Sequence, residues 1–188
     1  MTSSNTVALA AKRRARQAGL TLAETLLVLA IGALAIVGGT LLYLQATAGN
    51  KLNTGINQFV TLQSGIRSLY AGTSNFDDLD KDLLIDANAA PSDMVAGTQL
   101  RNSWGGEVTA GTAAGGQQFT VTFNGVPNNA CVKLITLNPG GSGGSGLVQV
   151  KVKAKVFAGA DIPVQTLPAV TACDSGAADS NTITWTFN

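Results

Sequence analysis

The sequence predicts an α+β protein, with one long N-terminal helix, membrane-spanning in its first half and amphipathic in its second, packed on an antiparallel β-sheet. Three observations predict it. An uncharged run rich in Leu, Ala, Val, Ile and Gly separates Glu24 from Lys51. Beyond it, Leu52, Ile56, Phe59, Leu62, Ile66, Leu69 and Tyr70 recur at three- and four-residue spacing, the period of a single helix face. From about Thr73 onward, glycine clusters separate short alternating or β-rich segments, the pattern of strands joined by turns.

The first nineteen residues contain four charges, all basic: Lys12, Arg13, Arg14 and Arg16. The uncharged run that follows is densest from Leu26 to Leu44. At about 1.5 Å per helical residue it is long enough to cross a bilayer. Basic residues before it, and none behind it until Lys51, place the N-terminus in the cytoplasm and the remainder outside. A secretory signal cut at Ala46-Thr47-Ala48 before Gly49 is a competing reading, but the run is longer than the roughly 7 to 15 residues of a signal core and Glu24 stands at its entrance. A permanent single-pass anchor explains all but the local sequence around Gly19.

No proline or turn cluster separates the apolar run from the amphipathic one, so one helix of about fifty residues is expected to end near Gly72. Its weak points are Gly32, Gly38 and Gly39, and the last two also permit close approach of neighbouring helices in lipid. The remainder, Thr73 to Asn188, is expected to form a short helix at Leu79 to Asp86 and strands at Glu107 to Ala110, Gln117 to Phe123, Leu147 to Phe157 and Thr182 to Phe187. In Asn128 to Leu137, after Pro127, the pattern Ala130, Cys131, Leu134 and Ile135 suggests a short helix, with a strand as the alternative.

Composition narrows the function. Twelve basic and 11 acidic side chains in 188 residues leave a net charge of +1, no footprint of nucleic-acid binding. Without residues 1–19 the chain has 8 basic and 11 acidic side chains, a net charge of −3. Histidine is absent, which removes Ser–His and Cys–His nucleophile pairs and every imidazole-dependent zinc site. No cofactor or catalytic constellation is indicated.

Gly19, followed by Leu20-Thr21-Leu22-Ala23-Glu24 and an apolar helix behind a basic leader, resembles the processing site of type IV prepilins. The resemblance implies cleavage after Gly19 by prepilin peptidase, N-methylation of Leu20 as the mature N-terminus, and an assembly role for Glu24. A carboxylate in a membrane segment costs several kcal/mol and demands a partner. By resemblance the α-ammonium of Leu20 in a neighbouring subunit supplies it; the alternative is a side chain that snorkels to the headgroups. Further on, Trp104-Gly105-Gly106-Glu107-Val108, Val126-Pro127 and Cys131 to Leu134 are similar to the head of type IVb pilins, the subunits of thin conjugative and enteric adhesive pili.

That family implies a cleaved leader at 1–19 and an N-terminal helix at 20–72, with 20–45 transmembrane or filament core and 46–72 amphipathic. It implies a pilin head at 73–188. The expected function is a non-enzymatic structural subunit that polymerises with copies of itself into an extracellular filament for adhesion, aggregation or conjugative contact. The expected partners are the peptidase, the inner-membrane assembly machinery and, before assembly, the membrane itself. A minor pilin or type II secretion pseudopilin is the nearest alternative, and a membrane-anchored binding or enzymatic domain a more distant one.

Cys131 and Cys173 both lie on the side expected to be outside the cytoplasm, where oxidation is permitted. One intrachain pairing exists, and by resemblance 131–173 is the disulfide-bounded region of the head; two buried thiols are the alternative. Asp78, Asp80 and Asp82 alternate as in a calcium loop, but Leu83 and Ala89 stand where that loop needs glycine and glutamate, so a solvated face is expected. Lys151, Lys153 and Lys155 alternate with apolar residues and are expected on one face of a strand, where they guard an edge or form an electrostatic strip between subunits. Residues 140–146, Gly-Gly-Ser-Gly-Gly-Ser-Gly, are expected to form a flexible link, natural or engineered.

Overall fold

The computed structural model describes residues 21–137, 146–174 and 180–188. By contacts the chain divides into two units, Met1–Gln45 and Ala46–Asn188. Helix α1, Leu22–Leu69, supplies all of the helical structure described in the first unit and the principal helix of the second.

In the second unit, the amphipathic period of α1 becomes a contact surface. Gly55, Gln58, Phe59, Leu62, Gln63 and Ile66 are buried, three or four residues apart, against one face of a sheet. The described strands are β1 (Val95–Ala96), β2 (Gln99–Arg101), β3 (Glu107–Ala113), β4 (Gln118–Val126), β5 (Leu147–Val152), β6 (Lys155–Ala158) and β7 (Asn181–Phe187). They pair antiparallel throughout in the order β1-β2-β3-β4-β7-β5-β6. The last strand in the sequence therefore sits inside the sheet, between β4 and β5. Strand alternation sends Phe119, Val121 and Phe123 of β4 and Ile183, Trp185 and Phe187 of β7 into the core, all fully buried.

The centre is aromatic. The Phe59 ring lies 4.4 Å from Trp185, 6.0 Å from Phe123 and 6.1 Å from Phe187, within the range where tilted and edge-on rings attract beyond their buried area. Arg67, a turn or two further along α1, holds its guanidinium 5.5 Å above Phe119 and 5.9 Å above Phe187 and donates to the Asn188 carbonyl oxygen at 2.9 Å. The helix thus grips the C-terminal half of β7.

Helix α2 (Lys81–Asp86) starts where Asp80 accepts a hydrogen bond from the Leu83 amide at 2.7 Å, a side-chain N-cap. Helix α3 (Asn128–Thr136) follows Pro127 and resolves the helix-or-strand ambiguity of that segment in favour of helix. Helix α4 (Thr166–Cys173) has no counterpart in the sequence reading. Its first turn contains Pro168, a position where a missing amide costs little, and its buried side chains are Ala169, Ala172 and Cys173, too small to give a strong amphipathic signal.

The segment expected as a single strand from Leu147 to Phe157 is a hairpin. Lys153 and Ala154 reverse the chain, Lys153 with φ +52°, and Val152 pairs with Lys155. The lysines accordingly do not share a strand face. Lys151 pairs with Val156 on the solvent side, Lys153 occupies the turn, and Lys155 lies on the side of Phe157, its ammonium 5.8 Å from that ring's centroid. Alternation along a sequence specifies a common face only if the strand continues, and two residues end it here.

The Trp104-Gly105-Gly106 segment is a tight turn built on Asn102. The Asn102 side chain accepts from the amides of Trp104 and Gly106, each at 3.0 Å, and donates to the Asn124 carbonyl oxygen at 2.7 Å. Gly105 adopts φ +84°, and a Cβ on Gly106 would overlap the Asn124 carbonyl oxygen, a backbone atom that cannot swing aside. Gly106→Ala is therefore expected to cost about 1–3 kcal/mol as overpacking, seen as a lower urea midpoint. A variant within about 0.5 kcal/mol of the parent would show that the turn yields.

Candidate assembly surface

The expected leader 1–19, with Lys12, Arg13, Arg14, Arg16 and Gly19, lies outside the described residues, as do Leu20 and 140–145 of the Gly-Ser run. Description begins at Thr21. This residue caps α1: the Glu24 amide donates to Thr21 Oγ1 at 3.3 Å, half of the Thr-x-x-Glu capping box that Thr21-Leu22-Ala23-Glu24 spells. The Glu24 carboxylate, in the first turn, is exposed and stands at the positive end of the helix dipole. From the sequence, Glu24 is expected to be an assembly charge or a side chain snorkelling to the headgroups, although the four-residue pattern also signals a cap.

From Leu22 to Leu44 the large apolar side chains are 57–79% exposed. Fully burying each would contribute about 1.5–3 kcal/mol, so this surface has a strong drive to be covered by lipid or by another protein surface. The helix is long and apolar enough to cross a membrane. Two of its hydroxyls are satisfied within the helix, Thr25 Oγ1 donating to the Leu22 carbonyl and Thr40 Oγ1 to that of Val37, both at 2.9 Å. With these threonines paired internally, the surface of the span is mostly hydrocarbon, with the Glu24 carboxylate exposed at its start. An added Cβ at Gly32, Gly38 or Gly39 would meet nothing within 4 Å, so no contact within the described chain requires these glycines.

On the head, the start of the amphipathic half is fastened by polar contacts. Ser103 Oγ donates to the Lys51 carbonyl at 2.7 Å, the Ser103 amide donates to Gln58 Oε1 at 2.9 Å, and Gln58 Nε2 donates to Asp93 Oδ2 at 2.7 Å. Trp104 covers Gly55, where any Cβ would strike its ring. Gln58 and Gly55 thus dock the loop between β2 and β3 on the helix.

Cys131 of α3 and Cys173 of α4 form a disulfide, with Cα atoms 5.9 Å apart. Both residues are buried, and the bond joins the helix that follows β4 to the helix that precedes β7. Two outer surfaces of the head are strongly charged. Asp77, Asp78, Asp80, Asp82 and Asp86 are all exposed, and their field is visible at Tyr70, whose phenol is pushed above its ordinary range by burial and then by Asp78, Asp77 and Asp80. Opposite in sign are Lys151, Lys153 and Lys155 around the β5–β6 hairpin.

Comparison with known proteins places this arrangement. Residues 50–188 match the family model described as PilS N terminal. Over 128 residues the chain is 33% identical to the major structural subunit of bundle-forming pilus from Escherichia coli O127:H6 (strain E2348/69 / EPEC), and equally to that of Escherichia coli O111:H-. Each alignment covers 66% of this chain and 66% of the relative, slightly less than two thirds of its length. Among solved structures, TcpA, a type IV pilin from Vibrio cholerae El Tor biotype, superposes with a TM-score of 0.53 at 13% identity, covering 74% of this chain and 99% of TcpA.

Proposed function

The chain belongs to the PilS family and has the type IV pilin fold, and from that premise we propose that it is the structural subunit of a type IVb pilus. The precursor sits in the inner membrane with its N-terminus cytoplasmic, prepilin peptidase cuts after Gly19, and Leu20 becomes a methylated N-terminus. Inner-membrane assembly proteins then extract the subunit, and α1 packs against copies of itself while the heads face outward as an extracellular filament. The observation that carries this reading is the first half of α1, apolar and uncovered, on a chain whose residues 50–188 match the family. Lipid covers that surface before assembly and other α1 helices cover it afterwards.

Filament formation requires no turnover, and the reading is of a structural rather than an enzymatic protein. Adhesion, aggregation or conjugative contact would be exerted by whatever the polymer touches. Subunits isolated from surface filaments are expected to have the intact mass of a chain that starts at Leu20 and bears one methyl group. Retention of Met1 to Gly19 in cells that possess the peptidase would overturn the processing step. Absence of the chain from sheared filaments would overturn the subunit reading, and its presence only in trace amounts would favour a minor pilin.

A further inference from the structure

The apolar half of α1 is bounded at each end by a polar side chain suited to a membrane surface. Between Glu24 and Tyr43 the sequence contains no charge, and Thr25 and Thr40 are its only polar side chains. Both of those hydroxyls are already bonded to carbonyls of their own helix. Tyr43 is the only aromatic residue ahead of Phe59. It is 71% exposed, so no core of the described chain accounts for its ring. Gln45, Thr47, Asn50 and Lys51 follow it, and the apolar run ends there.

Their separation matches a bilayer. Glu24 and Tyr43 are nineteen residues apart in one uninterrupted helix, about 28 Å along its axis, and the hydrocarbon of a bilayer is about 30 Å thick. A nearly upright α1 therefore sets both side chains at headgroup level at once. A tyrosine is favoured at that level because its ring is apolar while its hydroxyl bonds to water or a headgroup. Building on the membrane-inserted precursor of the pilus-subunit reading, we propose that Tyr43 is its outer-leaflet anchor. The ring binds the boundary between hydrocarbon and lipid headgroups and, with Glu24 at the inner boundary, fixes the depth of α1. The Glu24 carboxylate consequently stays hydrated while the subunit is held in the membrane, and its desolvation cost arises only when the helix leaves lipid for a protein bundle. Snorkelling and ion pairing are then successive states of one side chain.

The test uses the full chain in spheroplasts of cells without the peptidase or the assembly proteins, so that the precursor stays in the membrane. Leu41→Cys, Gln45→Cys and Ala48→Cys are introduced singly, with the native disulfide closed, and treated from outside with a membrane-impermeant maleimide. Labelling is expected to be strong at Ala48→Cys, intermediate at Gln45→Cys and near background at Leu41→Cys. Adding Tyr43→Leu is expected to lower labelling at Gln45→Cys by at least about threefold, as the unanchored apolar run settles deeper in the bilayer. Tyr43→Trp in its place is expected to keep the parental labelling, since indole shares the interfacial preference. Precursor level and the electrophoretic shift on reduction of the disulfide should match the parent throughout. Unchanged labelling with leucine, or equal loss with leucine and tryptophan, overturns the anchor. So does labelling at Leu41→Cys as strong as at Ala48→Cys, which puts the boundary elsewhere. These results leave the subunit reading intact, because sheared filaments from assembling cells decide it. A parental precursor missing from the membrane pellet brings down both.

Discussion

Glu24→Val is expected to abolish filaments while leaving precursor insertion and head folding unchanged. The residue is the only charged side chain between Leu20 and Lys51, at the start of a helix whose apolar surface is uncovered. In an assembled bundle of such helices water is excluded, the dielectric is low, and an unpaired carboxylate would cost several kcal/mol. Pairing with the α-ammonium of a neighbouring Leu20, the role we propose for Glu24, would convert that cost into a requirement for correct axial register. The Thr21 cap supplies a rival explanation, in which Glu24 acts only on its own helix end.

Glu24→Gln separates the two. Glutamine can occupy the same position of a capping box but carries no charge. On the pairing reading, both variants lose filaments, measured as pilin in the sheared surface fraction relative to total pilin. Filaments at the parental level from the glutamine variant would assign Glu24 to helix capping and remove the intersubunit ion pair. Parental levels from both variants would leave the carboxylate with no role in assembly.

Removing the disulfide, by Cys131→Ala with Cys173→Ala, is expected to give the largest loss of stability in the head. The bond closes 42 residues of sequence separation, which the chain-entropy model values at about 4 kcal/mol. For a domain of this size that corresponds to a fall in Tm on the order of 10–15 °C. The topology gives the bond particular leverage. The closed loop contains β5, β6 and α4, whose sheet pairing depends on β7, a strand that follows the loop in sequence and lies inside the sheet. Without the bond, β5 and β7 must meet with no covalent restraint holding α4 to α3. A thermal melt of the full chain in detergent, with and without the substitutions, measures the effect. A shift below about 3 °C would mean that α3 and α4 are held by packing alone, since such a shift corresponds to roughly 1 kcal/mol.

Much of the fold was legible in local pattern. Leu52 to Tyr70 recur with the helix period, and Phe59, Leu62 and Ile66 are buried as that period demands. Thr182 to Phe187 alternate as a strand, and Ile183, Trp185 and Phe187 point inward. The failures have equally local causes. Helix α4 was missed because its buried face is made of small residues and Pro168 stands in its first turn. The lysine strip was misassigned because nothing in Val150 to Phe157 announces a reversal: the turn uses Lys153 at positive φ, where glycine or asparagine would have been the readable signal. Strands β1 and β2 contain only two and three residues, too few for alternation to register.

The sequence by itself determined the features that depend on neighbours along the chain: the apolar span and its charge asymmetry, the amphipathic continuation, the Thr21-to-Glu24 cap pattern, and the inward and outward faces of the longer strands. Periodicity and charge act within a few residues, and one chain displays them fully. Tertiary structure decided which distant segments meet. It inserted β7 between β4 and β5, brought Cys131 against Cys173, and filled the hollow at Gly106 with the Asn124 carbonyl. These pairings depend on the simultaneous burial of Phe59, Phe123, Trp185 and Phe187 around one centre, a cooperative packing condition that no short stretch of sequence contains.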